Sequence, residues 1–175
     1  YLLAEVARDK DCIIHLAAIV GLGACDKNTD LAWEINYQAT KNLVDLCGEN
    51  QLFLYGSTGS NYGKSDGRIN ENVTLNPLSV YAKSKTKAED YVSNNMNNWV
   101  AFRFATAFGE STRMRYDLLI NDLTRKALRD KYFIVYEPQF KRSFIHVLDL
   151  SKAFMHSIEN WGKVQNEIFN VGDES

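Results

Sequence analysis

The sequence predicts an α/β fold, a parallel sheet joined by right-handed crossover helices. Two observations carry this. Short apolar runs and longer amphipathic stretches follow one another as strand, helix, strand, helix, strand, the order a parallel sheet requires. The first run, Cys12-Ile13-Ile14-His15-Leu16-Ala17-Ala18, is continuously apolar with β-branched members, as expected of a strand covered on both faces.

Residues 1–10 read as the end of a helix, and Asp11 leads into the first strand. Gly21 and Gly23 mark a loop, and Asn28-Thr29-Asp30 is a helix-start cluster. From 31 to 48, Leu31, Ile35, Ala39 and Leu43 recur every four positions with Leu46 and Cys47 nearby, an amphipathic helix that Gly48 stops. Gln51 to Tyr55 is the second strand, and it runs into the turn-rich Gly56-Ser57-Thr58-Gly59-Ser60. Residues 61–78 are irregular and polar, with Gly63, Gly67 and Pro77; Ser79 then caps a helix to about Asn95. Trp99 to Phe104 is the third strand and Gly109 opens a loop. A helix from Asp117 to Arg129 precedes a β-like run from Tyr132 to Tyr136. Phe144 to Val147 is a short extended piece, Asp149 starts a helix to Asn160, and Ile168 to Val171 is the last strand. No internal repeat or low-complexity tract interrupts this order.

The 175 residues are 45% hydrophobic, 24% charged and 12% aromatic with 2 prolines, which excludes a disordered or collagenous chain and suits one domain with a small appendage. A formal charge of −2 makes no electrostatic case for nucleic acid or an anionic membrane. No apolar run approaches the roughly 20 residues that span a bilayer. Cys12, Cys25 and Cys47 are irregularly spaced without a CxxC pair, so neither a metal site nor a disulfide framework is expected. Tyr1-Leu2-Leu3 is soon followed by Glu5, Arg8, Asp9 and Lys10, unlike a signal peptide, so the sequon Asn72-Val73-Thr74 carries little weight and the expected compartment is the cytoplasm. A chain that begins at Tyr1 rather than Met is expected to be a fragment.

Sheets of this class bind ligands at the carboxyl ends of their strands. The candidate site is therefore His15 to Gly23, Gly56 to Gly63 and Ala105 to Gly109. Tyr81 and Lys85, four apart at a helix start, share one face. An ammonium beside a phenol favours phenolate, and a phenol so tuned moves a proton near neutral pH. Such a pair also arises on ordinary solvated helix faces. Ser57-Thr58, just after a strand, offers a hydroxyl to a substrate oxygen and to the Tyr81 phenol, although Ser and Gly are also ordinary turn residues. One crossover brings the two features together. His15 and His146 lie in apolar runs and read as core histidines with hydrogen-bond partners, and His156 as a helix-surface residue. Ala17-Ala18 at a strand end admits a flat ligand or serves sheet packing. Arg142 could clamp a phosphate with paired hydrogen bonds or be one more charge beside Lys141. Arg113 and Arg115 could meet an anion or stay solvated.

Six segments stand in a telling order: His15-Leu16-Ala17-Ala18; Asn36-Tyr37-Gln38-Ala39-Thr40-Lys41-Asn42-Leu43; Ser57-Thr58-Gly59-Ser60-Asn61-Tyr62-Gly63; Pro77 to Lys85 as Pro-x-x-x-Tyr-x-x-x-Lys; Arg142 to Leu150 with Phe-Ile-His-Val and Asp149; and Asn170-Val171-Gly172. Together they resemble the extended short-chain dehydrogenase/reductase family, in its NAD-dependent nucleotide-sugar epimerase/dehydratase branch. The resemblance implies a Rossmann-like, doubly wound parallel sheet. Residues 1–110 would be part of a dinucleotide-binding domain, and 111–175 mainly a small substrate lobe intertwined with it. It implies NAD, or NADP, as cofactor and a nucleotide sugar as substrate. Tyr81 would be the acid/base and Thr58 its hydroxyl partner. Lys85 would bind the nicotinamide ribose and lower the Tyr81 pKa. Leu16, Ala17, Ala18, Asn36, Ser57 and Phe104 would join Tyr81 and Lys85 around the cofactor. Thr58, Thr106, Asn121 and Arg142 would meet the substrate. In the implied reaction Tyr81 takes a hydroxyl proton while a hydride passes to NAD, and an epimerase returns the hydride to the other face. The resemblance also implies a homodimer through the helices at 31–48 and 79–95, whose apolar residues could equally all face the sheet.

Three departures shape this expectation. None of the 10 glycines makes the family's Gly-x-x-Gly-x-x-Gly pyrophosphate loop, so about the first third of the domain is expected to lie outside this chain, which alone would then neither bind cofactor nor turn over. Gly59-Ser60 follow Thr58 where the dehydratases carry Asp-Glu, which favours an epimerase or reductase over a dehydratase. The family's Asn-Pro after the third strand is replaced around Thr106-Ala107. The alternatives are an NAD(P)-dependent reductase or dehydratase of a keto-sugar nucleotide, and a non-catalytic dinucleotide-binding or regulatory relative. The Tyr81–Lys85 pair beside Thr58 speaks against the last.

Overall fold

Along the chain the elements are α1 (Leu2–Arg8), β1 (Cys12–His15), α2 (Leu22–Lys27), α3 (Thr29–Trp33), one π-helical turn (Glu34–Gln38), α4 (Ala39–Val44) and β2 (Leu52–Thr58). A 3₁₀ turn (Gly59–Tyr62), α5 (Val80–Asn95), β3 (Trp99–Phe104), β4 (Thr106–Phe108) and α6 (Leu119–Asp130) follow. Last come β5 (Phe144–His146), α7 (Val147–Glu159), α8 (Trp161–Val164) and β6 (Glu167–Val171). This computed structural model describes residues 2–173 apart from 65, 66, 137, 138 and 140.

The main sheet is parallel in the order β1-β2-β3-β6. Its register sets Ile13 beside Phe53, Tyr55 beside Ala101, and Ala101 beside Ile168. Both faces of β2 and β3 are covered, but β1 is not the doubly covered strand the sequence suggests, since Ile14 is 43% exposed. On one face, Ala7, Leu43, Val44, Ala88 and Val92 from α1, α4 and α5 pack on Phe53, Tyr55, Trp99 and Ala101. On the other, Phe154 of α7, with Leu150, Ile158 and Trp161 around it, covers Leu54, Val100 and Phe102. Each fully buried Phe or Leu contributes roughly 1.5–3 kcal/mol. The α/β parallel architecture read from the sequence is the one that forms. Residues 147–171 lie with this sheet, while β4 and β5 make a separate two-stranded parallel pair.

Several local expectations are corrected. Gly56-Ser57-Thr58 is not a turn: β3 supplies ladder partners in Phe102, Arg103 and Phe104, and β2 runs on to Thr58. The buried side of the helix from Thr29 to Val44 is Ala32, Asn36, Thr40, Leu43 and Val44, whereas Leu31 is 40% exposed. Asn36 and Thr40 face inward because each has hydrogen-bond partners there. The helix ends at Val44, short of Gly48, and Gly23 lies inside α2 rather than in a loop. β4 was not foreseen. Tyr132 to Tyr136 form no strand; they are exposed and have no ladder partner among the described residues. α7 starts two residues before Asp149 because His146 Nδ1 accepts from the Leu148 amide at 3.3 Å and caps it.

Among the described residues, no helix is long and apolar enough to cross a membrane, and no group of three or more His, Cys, Asp or Glu could hold a metal ion. Gly63 closes the 3₁₀ turn at φ 72°, where a Cβ would run into the Asn76 carbonyl. Gly63→Ala is therefore expected to lose about 2 kcal/mol or more, read as a lower urea midpoint.

Candidate active site at the carboxyl end of the sheet

Ser79 caps α5 by accepting from the Ala82 amide at 3.1 Å, which sets Tyr81 in the first turn and Lys85 one turn on. The crossover from β2 brings Thr58 to the same place, with its hydroxyl set against the Tyr81 phenol. Thr58 also accepts from the Ser60 amide at 3.2 Å, which fixes its rotamer. The sequence placed these three residues together, and the structure does so.

Their electrostatics differ from expectation. Tyr81 is raised above its ordinary pKa: burial pushes it up, Thr58 pulls it down, and Cys25 pushes it up further. Lys85 does not lower it here. The reason lies in Lys85 itself, whose burial pushes the ammonium down to about 7 against the pull of Glu89. Its Nζ lies 4.1 Å from the Tyr55 ring centroid.

Beyond β1 the chain presents Leu16, 55% exposed, then exposed Ala17 and half-buried Ala18. The fully buried Asn36 holds this loop. Its Oδ1 accepts from the Ile19 amide at 2.7 Å, and its Nδ2 donates to the Ile19 carbonyl at 3.0 Å and to Ser84 Oγ at 3.1 Å. Ser84 in turn donates to the Tyr81 carbonyl at 2.9 Å. Both amide hydrogens of Asn36 are used, so it acts through the loop rather than by donating to a ligand. The π turn that carries Asn36 is the kind of local helix distortion that recurs at functional sites.

His15 is the satisfied core histidine expected. Its Nε2 meets Thr40 Oγ1 at 2.9 Å, and Thr40 donates to the Asn36 carbonyl at 2.8 Å. Thr40 has one hydrogen to give, so the network assigns the His15 proton to Nε2. Burial, with the Lys85 charge, pulls His15 from 6.5 to about 4. Between pH 6.5 and about 4 the unfolded chain therefore binds a proton at His15 that the folded chain does not. The His15 contribution is complete above pH 6.5 and shrinks as the pH falls toward 4, by up to roughly 3 kcal/mol. His15→Gln is expected to flatten the fall in urea midpoint over that range relative to the unsubstituted protein.

Two expected cofactor residues point elsewhere. Ser57 donates to Glu89 Oε2 at 2.5 Å and accepts from Asn61 at 3.1 Å, so its hydroxyl faces a buried network. Phe104 packs with Phe102 and Phe154, each ring centroid 5.5 Å away, under α7. The network around Ser57 was not foreseen. Arg103 reaches Glu89 Oε1 at 2.6 Å through Nη2, with both side chains under 5% exposed. Arg103 Nη1 donates to the Tyr62 hydroxyl at 2.8 Å and the Glu71 carbonyl at 3.1 Å, and Tyr62 donates to Asn170 at 2.7 Å. No local spacing announces this pair, because Glu89 lies on α5 and Arg103 on β3.

Of the expected substrate residues, the Thr106 amide donates to the Ser143 carbonyl at 3.2 Å, which places exposed Arg142 beside it. The buried Asn121 ties down a loop: its Oδ1 accepts from the Gly109 amide at 3.4 Å and its Nδ2 donates to the Arg115 carbonyl at 3.1 Å. Arg115 is paired with Asp117 at 2.6 Å. A cavity of about 460 Å³ opens here, lined by Glu110, Ser111, Thr112, His146, Val147 and Leu148.

Comparison with known proteins gives a consistent picture. The model of the NAD dependent epimerase/dehydratase family matches residues 2–172. A Bacillus subtilis protein named as an uncharacterized UDP-glucose epimerase is 32% identical over 159 residues, covering 86% of this chain and 50% of that protein. The Escherichia coli dTDP-4-dehydro-6-deoxyglucose reductase is 30% identical over 173 residues, 91% of this chain and 53% of the enzyme. Among solved structures, UDP-glucuronic acid 4-epimerase from Bacillus cereus in complex with NAD superposes with a TM-score of 0.85 at 27% identity, over 99% of this chain and 57% of that one. MoeE5 in complex with UDP-glucose and NAD gives 0.87 at 26%, over 99% and 60%. The chain spans about half the length of the curated relatives it matches.

Proposed function

Because the chain belongs to the NAD-dependent epimerase/dehydratase family, we propose that it carries the catalytic centre of an enzyme that epimerises a nucleotide sugar by transient oxidation. The observation that carries this reading is the Thr58 hydroxyl set beside the Tyr81 phenol, with Lys85 one helical turn on. Tyr81 Oη takes the proton of a sugar hydroxyl and later returns it. Thr58 steadies the phenol and the same sugar oxygen. Lys85 meets the ribose hydroxyls, and Leu16 to Ala18 flank the nicotinamide. NAD, when bound, supplies the reversible hydride acceptor. Thr106 and Arg142 face the nucleotide, with β4, α6 and β5 as the substrate lobe and Asn121 shaping its loop.

In this reading the protein works in the cytoplasm, where the thiols of Cys12, Cys25 and Cys47 stay reduced. Two copies pair through the outer faces of α4 and α5, where Tyr91 donates to Asp45 at 2.6 Å and Lys41 pairs with Asp45 at 2.6 Å. A second reading, a keto-sugar nucleotide reductase, rests on Gly59-Ser60 following Thr58 without an acid pair, as on the E. coli relative above. The intact protein should be incubated with UDP-, GDP-, CDP- and dTDP-sugars. An epimer formed without net cofactor consumption supports the epimerase. Oxidation of added NADPH supports the reductase, and no turnover of any sugar nucleotide sinks both.

A further inference from the structure

The platform beneath Lys85 uses residues to which the reaction gives no role. Tyr55 is completely buried in β2. Its ring lies under the Lys85 ammonium at 4.1 Å, and its hydroxyl reaches the Lys85 carbonyl at 3.5 Å. Thr40 hydrogen-bonds His15 and stands beside the Tyr55 phenol, and the His15 ring stacks on Tyr55 at 5.9 Å and 26°. The charged and titratable groups that meet Lys85 are His15 from β1 and Glu89 from α5, with Tyr81 one turn before it and Arg103 bound to Glu89. His15 is neutral at physiological pH, its pKa pulled to about 4. Glu89 gives both oxygens to Arg103 and shares the second with Ser57 and Asn61. The nearest face that offsets removing the ammonium from water is therefore an aromatic one, and such contacts strengthen with desolvation.

We propose that Tyr55 is a positioning residue for the reaction proposed above, on which this inference rests: its ring, braced by His15 and Thr40, holds the Lys85 ammonium where the dinucleotide ribose is met. Tyr55 touches neither substrate nor cofactor and acts through Lys85.

The test uses the intact protein with ¹³C-labelled lysines, the Lys85 signal assigned by its loss in Lys85→Met. Tyr55→Leu is expected to lower the Lys85 titration midpoint by about one pH unit and to weaken NAD binding roughly tenfold. Tyr55→Phe keeps the ring, so its midpoint should stay within a few tenths of a unit. If Tyr55→Leu does not fold, phenylalanines of rising fluorine content at position 55 keep the shape while weakening the negative ring face, and the midpoint should fall stepwise. A folded Tyr55→Leu with unchanged midpoint and NAD affinity, or a fluorine series with no trend, overturns the proposal. The titration is read without substrate. A shifted midpoint in a protein that turns over no sugar nucleotide would thus overturn the functional reading and leave the platform standing.

Discussion

Tyr81→Phe in the intact protein is expected to lose roughly 10²–10⁴-fold in kcat with a small change in KM. The substitution keeps the ring and removes the hydroxyl that faces Thr58. In the proposed reaction what disappears is the proton carrier, a group whose work is done in the transition state, so the loss falls on kcat. The unsubstituted enzyme should also quicken as the pH rises. Burial keeps the Tyr81 phenol protonated above its ordinary range, and only the ionised fraction can accept a proton. Steady-state rates across pH check both points. A loss below about tenfold would assign the proton transfer to another group.

Arg103→Met is expected to cost about 3–5 kcal/mol in urea unfolding, since it strands the buried Glu89 carboxylate. The loss reaches beyond the pair. Arg103 also holds Tyr62 and the Glu71 carbonyl, and through them the irregular segment that crosses the carboxyl end of the sheet. Adding Glu89→Met removes the stranded charge and should recover part of the loss, although Ser57 and Asn61 then lack their acceptor. A double variant whose loss equals the sum of the two singles would show that the pair does not act as a unit.

The sequence carried the strand and helix order because apolar runs and amphipathic periods are local signals. Thr58, Tyr81 and Lys85 were legible for a related reason: chemical type and spacing within one crossover suffice to bring them together. Periodicity failed on the helix from Thr29 to Val44, since it equates buried with apolar. Asn36 and Thr40 sit inside because Ile19, Ser84 and His15 satisfy them, and nothing local announces those partners. Ser57 looked like a site residue for the same reason that Thr58 did, being a hydroxyl at a strand end, but the pleat turns it toward Glu89. The Glu89–Arg103 pair is invisible along the chain because its members lie on a helix and a strand that meet only after the crossover closes. Tyr132 to Tyr136 shows the converse: high β propensity makes no strand without a neighbour to pair with.

The place of β6 bears on how the chain is made. β3 is hydrogen-bonded on one side by β2 and on the other by β6, which follows it by more than sixty residues, so β3 waits during synthesis with one row of backbone groups unpaired. At about 5–20 residues per second that wait lasts roughly 3–13 s. Trp99-Val100-Ala101-Phe102-Arg103-Phe104 is an apolar strand edge of the kind that templates misassembly. The nascent polypeptide is thus most exposed to aggregation, and most in need of a chaperone, before Glu167 leaves the ribosome.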